Sequence, residues 1–298
     1  MPINFDTVCG YKLVEKYVIV VYNNSGKQRN AKKPVQSSRI FEGQFRLHDD
    51  TKNLKREIDS IGPDDFISIT EKIHGSNFVV GKVLVNSKLP WWKNVLRKIG
   101  FNVETKTYYD TIFSSRRVVK NDTEETSSSN YYDTDIWKIV ADKIGPKLKN
   151  GYTVYGEVVG FTPTGSPIQR GYDYGCKDNE LDAYIFKVTY TSPCGDVIIL
   201  DHRQTVAFCE KSGLKMVPVH YYGKAGDWGE SASDFNIYNL SQEYLEKKCN
   251  LCKNSVWAEG VVIRRDIPFY WEAYKLKSFN FLEHETKVLD SGEVSLDE

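Results

Sequence analysis

The chain has 298 residues, 40% of them apolar and 13% aromatic, with 40 basic and 40 acidic side chains and a formal net charge of zero. This is a globular composition with enough length for one large domain, or a main domain with a small appendage, and it excludes an intrinsically disordered chain. Zero net charge excludes a uniform polyanion-binding coat but leaves room for a local basic face.

The N-terminal stretch "MPINFDTVCGYKL" lacks a charged segment followed by an apolar one. No apolar run approaches the ~18 residues of a membrane span. A soluble, intracellular and hence cytoplasmic protein is expected, a monomer without membrane contact, its six Cys kept as reduced thiols. Residues 1–50 read as a separate, small, barrel-like β element. Within it "YKLVEKYVIVVYN" is β-branched and alternating, and "NSGKQRNAKKP" is a basic loop. Residues 51–298 would form the main domain. At its start "DDTKNLKREIDSIGP" (49–63) predicts a capped helix, with Asp50 or Thr51 as N-cap, Leu54, Ile58 and Ile61 on one face and a stop at Gly62-Pro63.

Strands dominate after that. "DFISITEK" (65–72), "NFVVGKVLV" (77–85), "GYTVYGEVVG" (151–160), "DAYIFKVTY" (182–190), "DVIIL" (196–200), "VWAEGVVIRR" (256–265) and "FYWEAYKLKS" (269–278) are β-branched or aromatic and bounded by turn residues. "LPWWKNVLRKIG" (89–100) is an amphipathic surface segment or a phosphate-backbone contact. Helical spacing appears in "DTDIWKIVADKIGPKLK" (133–149), with Ile136, Ile139, Val140 and Ile144 on one face, in "RQTVAFCEKSG" (203–213) and in "SQEYLEKKC" (241–249). The irregular order excludes a doubly wound fold. The expected class is α+β, with antiparallel sheets flanked by helices.

Several of these strands carry charges between apolar neighbours: Lys72 in "ITEKIHG", Glu157 in "YGEVVG", Glu259 in "WAEGVVI", and Lys275 and Lys277 in "AYKLKS". Lys275 and Lys277 are two apart and so share a sheet face. A charge at a half-buried strand position is costly unless paired or used. One such case is usually a structural ion pair. Several together, of both signs, suggest a cleft for an anion and a metal.

In order along residues 65–280, these strings resemble the motifs of the covalent nucleotidyltransferases, which comprise RNA ligases, DNA ligases and mRNA capping enzymes. Lys72-Ile73-His74-Gly75 resembles their nucleophile motif. With Glu71, Ser76, Asn77 and Phe78 around it, the string is most similar to RNA ligases that seal breaks in duplex RNA, because DNA ligases and capping enzymes usually have Asp where this chain has His74. Ser115-Arg116, Tyr155-Gly156-Glu157, "AYIFKV", Glu259-Gly260-Val261-Val262-Ile263 and Lys275-Leu276-Lys277 resemble the motifs that follow. "PVQSSRIFEGQFRLHDDT" and "YDYGC" are similar to segments of phage-encoded RNA ligases. Singly these strings are common; together and in order they are specific.

The resemblance implies a nucleotidyltransferase fold and an ATP-dependent RNA ligase joining 3′-OH and 5′-phosphate ends, with Lys72 captured as lysyl-AMP and RNA, nicked or double-stranded, as partner. It also implies Mg²⁺ or Mn²⁺, with Glu259 as a metal ligand, and charge neutralisation by Lys275 and Lys277. Glu157 and Asn77 would meet the ribose, Arg116 the ribose or incoming phosphate, and Glu71 the adenine edge. Ile73 and His74 would line the nucleotide, His74 as a phosphate donor or loop support. Phe186 would stack on adenine, with Tyr184 or Tyr155 as rivals. Arg117 is an equal rival to Arg116, since neighbours on a strand face opposite ways. A DNA ligase, a capping-type enzyme and a non-catalytic nucleotide- or RNA-binding relative are the alternatives. The 21 residues after Lys277 are fewer than the C-terminal barrel of DNA ligases needs, so the N-terminal element would have to dock the substrate. Cys249 and Cys252 form one Cys-x-x-Cys, half of a tetrahedral zinc site that Cys176, Cys194 or Cys209 would have to complete; ordinary thiols are the simpler reading.

Overall fold

The computed structural model describes residues 39–87, 106–121, 132–227 and 236–290, a few positions between 92 and 100, and two short strands near the N terminus. The chain divides into two units, Met1–Gln36 and Ser37–Glu298. In the first, β1 (Thr7–Val8) pairs antiparallel with β2 (Tyr11–Lys12). The remainder of the expected barrel-like element, including "YVIVVY" (17–22), lies outside the described residues, as does most of 89–100. Residues 39–50, which the sequence pattern groups with the N-terminal element, make their contacts within the second unit. Ile40 bridges Val85, and Gln44 Nε2 donates to the Ser192 carbonyl at 2.8 Å.

The second unit holds two sheets. One comprises β5 (Ser76–Asn86), β6 (Thr107–Ser115), β7 (Tyr152–Gly160), β8 (Leu181–Thr191), β9 (Val197–Ile199) and β10 (Lys215–Met216), in the order β10-β8-β7-β5-β6 with β9 also on β8. The other comprises β3 (Lys52–Asn53), β4 (Phe66–Glu71), β11 (Val219–Lys224), β12 (Gly260–Arg265) and β13 (Glu272–Lys277), in the order β11-β4-β12-β13-β3. All pairings are antiparallel except β10 with β8 and β13 with β3. Among the described residues four complete helices accompany them: α1 (Ile136–Ile144), α2 (His202–Ser212), α3 (Ile237–Leu245) and α4 (Phe279–Asp290). The fold is α+β. None of the described helices is long and apolar enough to cross a membrane.

Strand alternation builds the layers. Ile67 and Ile69 of β4, Val261 and Ile263 of β12, and Tyr274 and Leu276 of β13 pack together with Ile237, Leu240 and Leu245 of α3. Phe78, Val80, Val154, Val158, Ile185 and Val188 pack under Ile136, Trp137, Val140 and Ile144 of α1. Each sheet thus covers one face with helix, and the alternate residues, Lys275 and Lys277 among them, point the other way. Between β7 and β8 the register slips: Tyr155 faces Lys187 and Gly156 faces Ile185, leaving Phe186 bulged. A side chain at Gly156 would collide with the Tyr184 carbonyl and come within 2.7 Å of the Phe78 ring. The bulge turns Phe186 and Lys187 toward one face, which regular alternation forbids.

The helix expected over 49–63 does not form. Lys52–Asn53 pairs instead with β13, and two 3-10 turns follow at Leu54–Arg56 and Ile58–Ser60. Asn53 is extended (φ −87°, ψ 125°), its side chain caps Lys55 N–H, and Glu57 at φ −134° interrupts the winding. Leu54 and Ile61 are still buried, as their spacing implied. The strand expected from Val256 begins only at Gly260, and α3 begins at Ile237, four residues before "SQEYLEKKC". The sequence reading has no counterpart for β6, β11 and α4.

Candidate active site

Lys72 follows β4 directly and Glu259 precedes β12 directly. The β4–β12 register, Glu71 opposite Val261, brings them side by side, and Lys72 N–H donates to the Gly260 carbonyl at 2.9 Å. Lys277 lies opposite Gly260 on β13. Lys72 Nζ is 2.6 Å and Lys277 Nζ 3.2 Å from the same Glu259 oxygen, and His74 Nδ1 is 3.7 Å from the other. Glu259 is 1% exposed. Burial by itself would push its carboxyl up; Lys72, His74 and Lys277 together overcome that and hold it well below the usual carboxylate range. Lys275 is pushed down by burial, then by Lys72 and Arg116. The ammonium of Lys72 is therefore drawn by one carboxylate and repelled by a neighbouring lysine.

Gly260 fixes this junction. Its φ is +148°, and a Cβ there would strike the Leu276 carbonyl. Gly260→Ala is expected to lower stability by about 1–3 kcal/mol in urea unfolding, since it adds both strain and a clash.

The loop carrying His74 is tied down on every side. Its N–H donates to Tyr174 Oη at 2.7 Å, and its ring meets Tyr172 and Phe281 edge-on at 4.8 and 5.0 Å. Gln169 Nε2 donates to the Gly75 carbonyl at 3.0 Å, and a Cβ on Gly75 would stand 2.5 Å from the Val158 carbonyl. Ile73 is buried with Val159, Tyr184 and Phe281. Asn77 and Glu157 are register partners, with Asn77 Nδ2 donating to Glu157 Oε1 at 3.3 Å.

Other expected residues stand elsewhere. The Glu71 carboxyl is buried and hydrogen-bonded with Cys249; burial raises it and that bond lowers it. Arg116 holds Asp50 at 2.6 Å on an exposed surface. The Cys249 thiol is pushed up by its hydrogen bond with Cys252 and by burial, and among the described residues no third His, Cys, Asp or Glu joins the pair to hold a metal. Phe186 is half-buried, its ring 4.9 Å from His48 and 6.3 Å from Trp271, whereas its rivals Tyr184 and Tyr155 are buried. Lys187, His48 and Trp271 escaped sequence reasoning. Alternation sets Lys187 on the face opposite Phe186, and only the bulge overturns that.

Lys187 Nζ lies over the Tyr155 ring at 4.7 Å and the Trp271 ring at 5.0 Å, and burial pushes its pKa down to about 8 from 10.5. A depressed lysine pKa costs stability below pH 8, and that cost fades as pH rises from about 8 to 10.5, where the unfolded chain also loses its proton. Lys187→Met is therefore expected to raise the thermal midpoint at pH 7, with the gain shrinking over that window.

The RNA ligase family profile matches residues 65–279. This chain belongs to the RNA ligase family. No curated protein matches it significantly. Solved structures of Naegleria gruberi RNA ligase share the family fold with it. A lysine-to-alanine mutant with ATP and Mn superposes at a TM-score of 0.54 with 14% identity, covering 85% of this chain and 63% of that one. An aspartate-to-alanine apo mutant gives 0.53 and 15%, covering 84% and 61%. The form with PPi gives 0.52 and 14%, covering 86% and 64%. This RNA ligase family member thus spans a little over six-tenths of the length of those proteins, and at such identity the likeness is one of fold.

Proposed function

We propose that the chain is an ATP-dependent RNA ligase that joins 3′-OH and 5′-phosphate RNA ends, with Lys72 as the adenylylated nucleophile. The observation that carries this reading is the convergence of Lys72, Lys277 and His74 on one buried carboxylate, Glu259. The ε-nitrogen of Lys72 attacks the α-phosphorus of ATP. A P–N bond forms, the P–O bond to pyrophosphate breaks, and the amine proton leaves to solvent. Lys275 and Lys277 offset the negative charge on the phosphoryl oxygens as pyrophosphate departs. AMP then passes to an RNA 5′-phosphate, and a neighbouring 3′-OH attacks that activated end, releasing AMP. Each step is attack at phosphorus, so one cleft serves all three.

Asn77 and Glu157, already hydrogen-bonded to each other, suit the ribose hydroxyls. Phe186, the least buried of the three candidate rings, suits the base. Ile73 and His74 line the nucleotide and Arg116 meets ribose or phosphate after releasing Asp50, while Glu71, turned toward Cys249, would reach the adenine edge only through its backbone. Glu259 and Glu157 offer hard oxygens to Mg²⁺ or Mn²⁺. Such ions take one or two carboxylates and complete their sphere with phosphate oxygens and water. That fits a site where, among the described residues, no cluster of three or more potential ligands exists. Bound there, the ion would supply charge neutralisation to the phosphates. Substrate docking, expected of residues 1–50, is proposed for the first unit, Met1–Gln36. The reading further takes RNA, nicked or double-stranded, as substrate, and the cytoplasm of the cell, or of a phage host, as the setting for a monomeric enzyme.

Incubation with α-labelled ATP and Mg²⁺ followed by denaturing electrophoresis tests this reading, and label on the chain is expected. Nicked duplex RNA, single-stranded RNA and nicked DNA, compared as substrates, should show sealing of the nicked RNA. Labelling from GTP in place of ATP would favour a capping-type activity, and sealing confined to DNA a DNA ligase.

A further inference from the structure

Lys187 is a buried cation that the proposed chemistry does not use. It is 5% exposed, yet among the described residues no carboxylate lies at ion-pair distance from it; the Asp49 charge only acts on it from further away. Its ammonium rests on two aromatic rings instead, Tyr155 and Trp271. Trp271 also carries the Arg264 guanidinium at 4.8 Å, and Arg264, equally buried, meets Asp266 at 3.5 Å. Lys187 and Arg264 thus share one ring, with Asp266 at ion-pair distance from Arg264 alone. Ring faces return only part of the cost of desolvating an ammonium, and burial does push the Lys187 pKa down. A side chain that costs the fold stability needs a use. Its position indicates one: the bulge in β8 sends Lys187 to the same face as Phe186, and both border Trp271.

We propose that Lys187 is a specificity-determining residue, one that recognises the nucleobase by donating from its ammonium to an unprotonated ring nitrogen. The inference rests on the reading above, in which the base stacks on Phe186. An ammonium has three donors and no acceptor. Adenine has three in-plane ring acceptors, N1, N3 and N7; N3 lies on the ribose side, so a lysine at the outer rim of the stacking site selects for N1 or N7. Within β8, Phe186 supplies a face that any base can use, and Lys187 adds the discrimination that stacking lacks.

The test compares self-labelling by ATP with that by 1-deaza-ATP and 7-deaza-ATP, each lacking one ring nitrogen, in the full chain and in Lys187→Met and Lys187→Gln. The expected result is that wild type prefers ATP over one of the two analogues by about 10- to 100-fold, the range of a hydrogen bond to a charged donor. Lys187→Met should reduce that preference to about threefold or less, and Lys187→Gln, which keeps a neutral donor, should fall between them. A purely structural lysine would slow labelling by all three nucleotides equally. That outcome overturns the proposal, as does a wild type that discriminates against neither analogue. Thermal melts identify a variant that fails to fold, in which case the other variant decides. If wild type takes no label from ATP, the ligase reading and this inference fall together; if it labels but Lys187→Met keeps the wild-type preference, only this inference falls.

Discussion

Lys72→Ala is expected to take up no label from α-labelled ATP, a loss on the order of a thousandfold or more, because no other group at that position can form the P–N bond. The label on wild type should be released by acid and survive alkali, as a phosphoramidate is and a phosphate ester of Ser or Tyr is not. The fold should survive the substitution. Lys72 is partly exposed, and Glu259 keeps Lys277 at 3.2 Å and His74 at 3.7 Å. Supplied with RNA whose 5′ end is already adenylylated, Lys72→Ala should still seal it, since attack by the 3′-OH needs no lysine nucleophile. Label retained by Lys72→Ala, measured on the same gel, would remove the reading at its root.

Glu259→Gln should fail twice. Breaking a buried ion pair by neutralising one partner costs about 3–5 kcal/mol, because the remaining charges are left without compensation. Here Lys72 is left beside Lys275, whereas Lys277 keeps Glu285 at 3.7 Å and both Lys72 and Lys277 are partly exposed, so a loss of about 1–3 kcal/mol is expected. Urea unfolding at pH 7 should show the loss, and labelling should fall by about a hundredfold or more as the lysines lose their anchor. The acid limb of stability offers a second check. The folded pKa of Glu259 lies below the ordinary 4.5, so its contribution is fully present above about pH 4.5 and is lost as pH falls through the folded value. Glu259→Gln should therefore lose less stability than wild type between pH 5 and pH 3. Equal stability and equal labelling in the two proteins would mean that Glu259 organises nothing.

Much of this molecule was legible in its residues. Strands around Lys72, Glu157, Phe186 and Lys275 stand where alternation and β-branching put them, since local pattern and final burial agree there, whereas the strand expected to hold Glu259 starts one residue after it. In the segment 49–63 Leu54, Ile58 and Ile61 satisfy helical spacing, but the pairing of Asn53 with Lys275, more than 200 positions away, decides the backbone. The cage around His74 was equally hidden. Tyr172, Tyr174 and Phe281 come from a loop and a helix that nothing local ties to position 74. Glu71 is adjacent to Lys72, but its side chain points to the other side of β4, beside Cys249.

The order and identity of the charged motif residues and the shared face of Lys275 and Lys277 follow from the sequence by itself, because they depend on neighbours within a few positions. Which oxygen Lys72 and Lys277 both approach, and why Lys187 joins Phe186 rather than opposing it, only the tertiary structure decided. Both depend on strand register and on a one-residue bulge. Register is set by pairings between distant segments, and a slip of one residue reverses the face of every side chain beyond it.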